Sequence, residues 1–316
     1  MITNTLLLLL SLAILYFGAD WLVKGSSSLA LRLGIPSLIV GLTIVSFGTS
    51  APEFLVSLQA ALVGKSEIAV GNVVGSNIFN IGAILGIAAI VSPLVISRSI
   101  IRQDMPVLLL FTSLFIYLFR DGAMTRGEAL IFVAGAVLYT GWLIFNAMKI
   151  KKAEKQSEEA TDVEKPSKHW YIDLLYIVAG FVSLAIGARL LVDNAVLIAQ
   201  ALSISDKVIG LTIVAAGTGM PELATSVVAS LKGNKDIAIG NVVGSNIYNL
   251  LIVMGMSATI SPIAITNYSP IEGYAMLMFT ILLLPLLKTG YELKRWEGIL
   301  LLILYILFIA YLLMQA

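Results

Sequence analysis

Two glutamates stand in near-identical settings 169 residues apart: Glu53 closes GTSAPE (48–53) and Glu222 closes GTGMPE (217–222). Downstream of each lies a second motif, GNVVGSNIFN (71–80) and GNVVGSNIYN (240–249), in which Ser76 and Asn80, like Ser245 and Asn249, are four residues apart. On a helix that spacing puts hydroxyl and amide on one face. Asn77 and Asn246 point off this face and read as structural. Thr49 and Thr218, with Ser50, bring further oxygens, and a proline beside each glutamate frees nearby carbonyls. Two carboxylates, amides, hydroxyls and carbonyls make an all-oxygen set that suits a hard cation: Ca²⁺ takes six to eight oxygens in flexible geometry, whereas Mg²⁺ keeps its water and zinc prefers His or Cys. Two ionised glutamates match the charge of one Ca²⁺, and Na⁺ or H⁺ competing for the same oxygens is the logic of exchange.

The elements that must hold these residues are membrane helices. The chain is 59% hydrophobic and 12% charged, against about 25% charged in a soluble domain. Apolar runs long enough to cross about 30 Å of hydrocarbon fall near 4–32, 38–63, 67–92, 104–119, 127–149, 171–202, 208–231, 236–261, 271–287 and 295–315. The first has no Lys or Arg before Lys24 and no small-residue cleavage site behind it, so it reads as a membrane helix rather than a signal peptide. The hydrophilic stretch from Lys149 to Lys168 mixes both charge signs with Pro and Ser and reads as a solvated linker.

Residues 41–80 and 210–249 align without a gap at the offset of 169, and 24 of the 40 positions are identical. Five spans per half is an odd number, so the halves cross in opposite senses. The expected fold is an all-α integral membrane protein of ten transmembrane helices in two inverted five-helix repeats, 1–149 and 171–316, joined by a linker at 150–170. Glycine- and proline-interrupted helices at matching positions of inverted repeats point to a secondary transporter with its site at the repeat interface. Pro52 and Pro221 are expected to break spans two and seven. Gly71, Gly75, Gly240 and Gly244 are expected to let backbones approach, as small-xxx-small patterns do.

With the N-terminus outside, the cytoplasmic loops hold 14 Lys and Arg and the opposite loops four. The positive-inside rule then expects a multi-pass protein of the cell membrane with both termini outside and the linker in the cytoplasm. A carboxylate near the bilayer centre costs about 2.5–3.5 kcal/mol on insertion scales, and no Lys or Arg lies within a turn of Glu53 or Glu222 to repay it. Asp20 and Lys24 map by the offset onto Arg189 and Asp193, two i, i+4 ion pairs of reversed order expected to steady spans one and six.

Other chemistries find little support. With no Cys and one His (His169) there is no zinc site. A net charge of +1 gives no basic face for nucleic acid, and no GxxxxGK[ST] signals a nucleotide-driven pump. An intramembrane hydrolase would need a nucleophile and base that nothing supplies. A passive channel fits poorly with two broken-helix repeats. No enzyme activity, cofactor or protein partner is expected; the partners are lipid and the transported ions.

The paired GTSAPE/GTGMPE and GNVVGSN motifs resemble those of the cation/calcium exchanger superfamily, and within it the sodium/calcium exchanger branch and its microbial relatives, over essentially the whole chain. The resemblance implies an antiporter in which Ca²⁺ leaves against inward Na⁺. It makes Glu53 and Glu222 the shared carboxylate ligands, with Thr49, Thr218, Ser50, Ser76, Asn80, Ser245 and Asn249 around them, and spans one and six the sliding helices. Gly219 departs from the pattern where the family commonly has a hydroxyl, and Asn249 stands where some relatives, potassium-dependent ones included, carry Asp. A proton-coupled or K⁺-dependent cation antiporter is the alternative.

Overall fold

The computed structural model describes residues 2–154, 169–202, 215–265 and 270–315. Its helices in chain order are α1 (Ile2–Leu33), α2 (Ser37–Thr49), α3 (Ala51–Leu62), α4 (Ser66–Val91), α5 (Ile100–Asp121), α6 (Arg126–Glu154), α7 (Trp170–Ala201), α8 (Ala215–Gly217), α9 (Met220–Leu231), α10 (Lys235–Ile260), α11 (Ile271–Lys288) and α12 (Arg295–Gln315). Eight are long and apolar enough to cross a membrane, and α2 with α3 make a ninth span, bent by 44°. The first part of the expected seventh span, and 155–168 of the linker, lie outside the described residues. α6 runs on to Glu154, past the expected end of span five at 149.

Four two-residue strands, which the hydropathy pattern does not announce, fasten the ends of the bundle: β1 (Leu94–Val95) pairs antiparallel with β4 (Glu292–Leu293), and β2 (Ala123–Met124) with β3 (Ile263–Ala264). The pair Leu94 with Leu293 becomes Ile263 with Met124 under the offset of 169, so the two-fold relation extends well beyond the aligned motifs.

The spans that carry the asparagine motifs sit in the middle. In the most apolar window 83% of α4 and 94% of α10 is buried, against 17% of α12. α1 and α7 run antiparallel along each other through small residues: a Cβ on Gly180 would lie 2.8 Å from Leu22 Cβ, and one on Gly18 2.9 Å from Ser183 Cβ. Arg32 Nε fastens the same pair to the buried Asp173 Oδ2 at 2.7 Å.

The two i, i+4 ion pairs differ sharply. Asp20 is buried and bonds Lys24 Nζ at 2.8 Å, and its other oxygen takes Lys232 at the C-terminal end of α9, tying α1 to the second repeat. The offset puts Val63 opposite Lys232, and the exposed Arg189–Asp193 pair is 3.8 Å apart. Removing a carboxylate that holds two lysines costs about 1–3 kcal/mol, whereas an exposed pair contributes about 0–1. Asp20→Ala is therefore expected to lower the thermal unfolding midpoint in detergent clearly more than Arg189→Ala; equal midpoints would remove the distinction.

Candidate ion-binding site

Each glutamate sits just past a helix break. Ser50, with φ −82° and ψ 4°, separates α2 from α3, and Gly219, with φ −81° and ψ 3°, separates α8 from α9. Pro52 and Pro221 occupy the second position of the helices that follow, where the missing amide costs nothing and the fixed φ starts the new helix. In the second repeat the Leu223 amide closes onto the Gly219 carbonyl at 3.0 Å, while no such bond reaches the Thr218 carbonyl. The breaks foreseen at Pro52 and Pro221 thus fall at Ser50 and Gly219, two residues ahead of each proline.

Glu53 and Glu222 are both about 1% exposed, and neither has an ion-pair partner among the described residues. Thr49, Ser50, Ser76, Asn80, Ser245 and Asn249 are buried as well, and Thr218 is half-buried. The two repeats meet here: Ser50 Oγ, from the first, donates to Glu222 Oε1 in the second at 3.1 Å, and Ser245 Oγ approaches the same oxygen at 3.5 Å. Thr49 Oγ1 donates to Asn241 Oδ1 at 3.0 Å. Ser76 is buried but has no matching bond to Glu53, so the sets around the two glutamates are not equivalent.

The amides reveal what the sequence pattern hid. Asn80 Nδ2 donates to Asn246 Oδ1 at 3.1 Å, and Asn249 Nδ2 donates to Asn77 Oδ1 at 3.0 Å, two bonds that exchange under the offset. Asn77 also holds the Asn246 carbonyl at 3.2 Å. Asn77 and Asn246 therefore do more than pack: they fix which way the Asn80 and Asn249 amides face, nitrogen to the partner repeat and oxygen away from it. Asn72 and Asn241, unassigned by pattern, form another equivalent pair. Each binds the carbonyl of its glutamate, at 3.0 and 3.4 Å, and a serine one turn on, Ser57 or Ser226. Their signal was present, since both stand in the repeated GNVVGSN, but nothing in the spacing distinguishes a support from a ligand.

Wide π-helical turns begin on the two asparagines, over Asn80–Leu85 in α4 and Asn249–Met254 in α10. Such turns are rare and gather at functional sites.

The oxygens left over define the chemistry. Among the described residues, Glu53 Oε2, Glu222 Oε2, Asn80 Oδ1, Asn249 Oδ1 and Thr218 Oγ1 are all buried without a hydrogen-bond partner. Native interiors leave few polar atoms unpaired, and each unpaired one costs about 1–3 kcal/mol. Five such oxygens, two of them carboxylate, lie on residues of the two repeated motifs, and oxygens of this kind are the ones a hard cation takes.

Comparison with known proteins identifies the family. The profile described as sodium/calcium exchanger protein matches residues 3–145 and 172–314. The sodium/calcium exchanger MaX1 of Methanosarcina acetivorans is 33% identical over 97% of both chains, and the putative antiporter CaxA of Alkalimonas amylolytica 38% identical over 97% of both. The structure of the sodium-calcium exchanger NCX_Mj soaked with Na⁺ and Sr²⁺ superposes with a TM-score of 0.83 at 32% identity, covering 98% of each chain. Two helix-breaking glutamate motifs, two crossed asparagine pairs and a match that spans both halves lead to one assignment: the chain belongs to the sodium/calcium exchanger protein family.

Proposed function

We propose that this protein is a secondary-active antiporter that exchanges Na⁺ for Ca²⁺ by alternating access, with Glu53 and Glu222 binding the two ions in mutually exclusive fashion. The observation that carries the reading is the set of five unpartnered buried oxygens on Glu53, Glu222, Asn80, Asn249 and Thr218. Two carboxylates neutralise one Ca²⁺, and neutral amide, hydroxyl and carbonyl oxygens complete its shell without the rigid octahedron that Mg²⁺ demands. Na⁺ ions on the same oxygens repay the same buried charge, so an empty, doubly negative site is costly to carry across the membrane. That cost couples the two fluxes.

Thr49, Ser50, Ser76 and Ser245 line the site in this reading, Ser50 and Ser245 by aiming Glu222. α1 and α7, packed along each other through glycines and fastened by Arg32 and Asp173, are suited to slide as one unit past the broken helices. Both termini lie outside, and the linker at 150–170 lies in the cytoplasm.

The test is ⁴⁵Ca²⁺ uptake into proteoliposomes loaded in turn with Na⁺, with K⁺ or at low pH. Uptake from Na⁺-loaded vesicles alone, at fixed pH, is the expected result. Uptake driven by the proton gradient alone would replace the reading with a proton-coupled antiporter, and a requirement for K⁺ would make it K⁺-dependent.

A further inference from the structure

The two halves of the site also differ in a hydroxyl and in the aromatic ring beside it. Under the offset of 169, Ser50 corresponds to Gly219 and Tyr248 to Phe79. In the first repeat Ser50 places its hydroxyl on Glu222 at 3.1 Å. There the corresponding aromatic, Tyr248, has its own hydroxyl bonded to Thr140 Oγ1 on α6 at 3.0 Å. Around Gly219 neither hydroxyl exists: Gly219 stands in the place of Ser50, Phe79 in that of Tyr248 and Ile309 in that of Thr140. Phe79 is buried and braced by Tyr305 on α12, edge to face at 5.6 Å between ring centres. Its ring presses on Gly219: a Cβ there would lie 2.7 Å from both Cδ1 and Cε1 of Phe79. Only glycine fits beside this ring.

We propose that Phe79 occupies the place of the hydroxyl that the second repeat lacks, and that this exchange of ring for oxygen sets how weakly the Glu53 side of the site holds Na⁺. The proposal rests on the Na⁺/Ca²⁺ reading above. A serine hydroxyl offers lone pairs to a cation and a donor to a carboxylate, whereas the edge of an aromatic ring carries the positive end of its quadrupole and offers neither. Na⁺, with a single charge, depends on every neutral oxygen around it. Ca²⁺, shared by both carboxylates, depends on this one far less. The ring therefore raises the Na⁺ concentration needed for exchange and leaves Ca²⁺ binding nearly untouched.

The experiment compares the unsubstituted protein with Phe79→Ala, Gly219→Ser and the double substitution, reading half-saturating Na⁺ and half-saturating Ca²⁺ for uptake at fixed pH. The double substitution makes room and supplies the oxygen. It is expected to lower half-saturating Na⁺ roughly fivefold relative to Phe79→Ala, the effect of one added polar contact, with half-saturating Ca²⁺ moving by less than about twofold. Gly219→Ser alone, forced against the ring, is expected to impair transport. A double variant with the Na⁺ dependence of Phe79→Ala, or an equal shift for both ions, overturns the proposal.

If the double variant does not elute as a monodisperse peak, Ser50→Gly tests the mirror position. Creating the same gap in the first repeat should raise half-saturating Na⁺, and an unchanged value overturns the proposal. Uptake by the unsubstituted protein that ignores Na⁺ would remove the Na⁺/Ca²⁺ reading, and the proposal with it, before any variant is compared.

Discussion

Glu53→Gln or Glu222→Gln is expected to reduce Na⁺-driven Ca²⁺ uptake by about 10- to 100-fold, since a lost interaction with a charged group costs about 1.5–3 kcal/mol and every 1.4 kcal/mol is tenfold. Glutamine keeps the shape and removes one of the two charges that a divalent ion needs. The same substitution is expected to leave the ion-free protein as stable as before, or more so. Both carboxylates are buried, and neither has a salt-bridge partner among the described residues. Neutralising such a group relieves its desolvation cost.

Thermal unfolding in detergent, with and without Ca²⁺, separates binding from folding. A ligand that binds only the folded state stabilises it by about 2.7 kcal/mol at 100 times its dissociation constant, so Ca²⁺ should raise the midpoint of the unsubstituted protein and not of either variant. A variant that still gained stability from Ca²⁺, or still transported, would place the ion elsewhere. A variant that lost transport together with its ion-free stability would make the glutamate a structural group.

Much of the fold is legible in the sequence. The offset of 169 links Glu53 to Glu222 and Asn80 to Asn249, and it reappears in the strand register and in the wide turns at 80–85 and 249–254. Hydropathy located nine of the ten expected spans among the described residues, because a helix satisfies its backbone groups within the segment. The asymmetries were less legible. Asp20 shows its partner Lys24 one turn away, but Lys232 lies 212 residues off and reaches Asp20 only because α1 packs against α9. Asn77 faces off the helix side shared by Ser76 and Asn80, so periodicity assigns it to packing. Its contact with Asn249 runs between repeats and leaves no trace in local spacing. The missing hydroxyl at Gly219 was visible, but the ring that fills its place was not, because Phe79 lies 140 positions away.

Gly240→Leu is expected to abolish folding, with no monodisperse protein recovered in detergent, because at this point α10 touches α2 backbone to backbone. A Cβ on Gly240 would lie 3.0 Å from the Leu38 carbonyl oxygen, 3.1 Å from the Leu42 amide nitrogen and 3.2 Å from the Gly41 carbonyl carbon. Gly41 reciprocates, its own Cβ falling 3.1 Å from Ile237 Cα. One turn on, a Cβ on Gly244 would meet Ser46 Oγ at 2.6 Å and the Leu42 carbonyl oxygen at 2.9 Å. Backbone atoms cannot swing aside as a side chain does, so even Gly240→Ala should cost about 1–3 kcal/mol by overpacking. The segment that would meet Gly71 and Gly75 by the same offset lies largely outside the described residues, which keeps this prediction to the second repeat. Gly141 on α6 is the control: a Cβ there meets nothing within 4 Å. Gly141→Ala in a helix should stabilise by about 0.5–1 kcal/mol, so one substitution type gives opposite signs at the two positions, read as opposite shifts of the unfolding midpoint. Equal shifts would mean that the crossing is loose. The close approach matters for the site because Ser245 follows Gly244 directly and Asn241 follows Gly240. Only with α2 and α10 in backbone contact can Thr49 reach Asn241 at 3.0 Å and Ser245 reach the Ser46 carbonyl at 3.4 Å, so the glycines set how closely the two repeats bring these oxygens together.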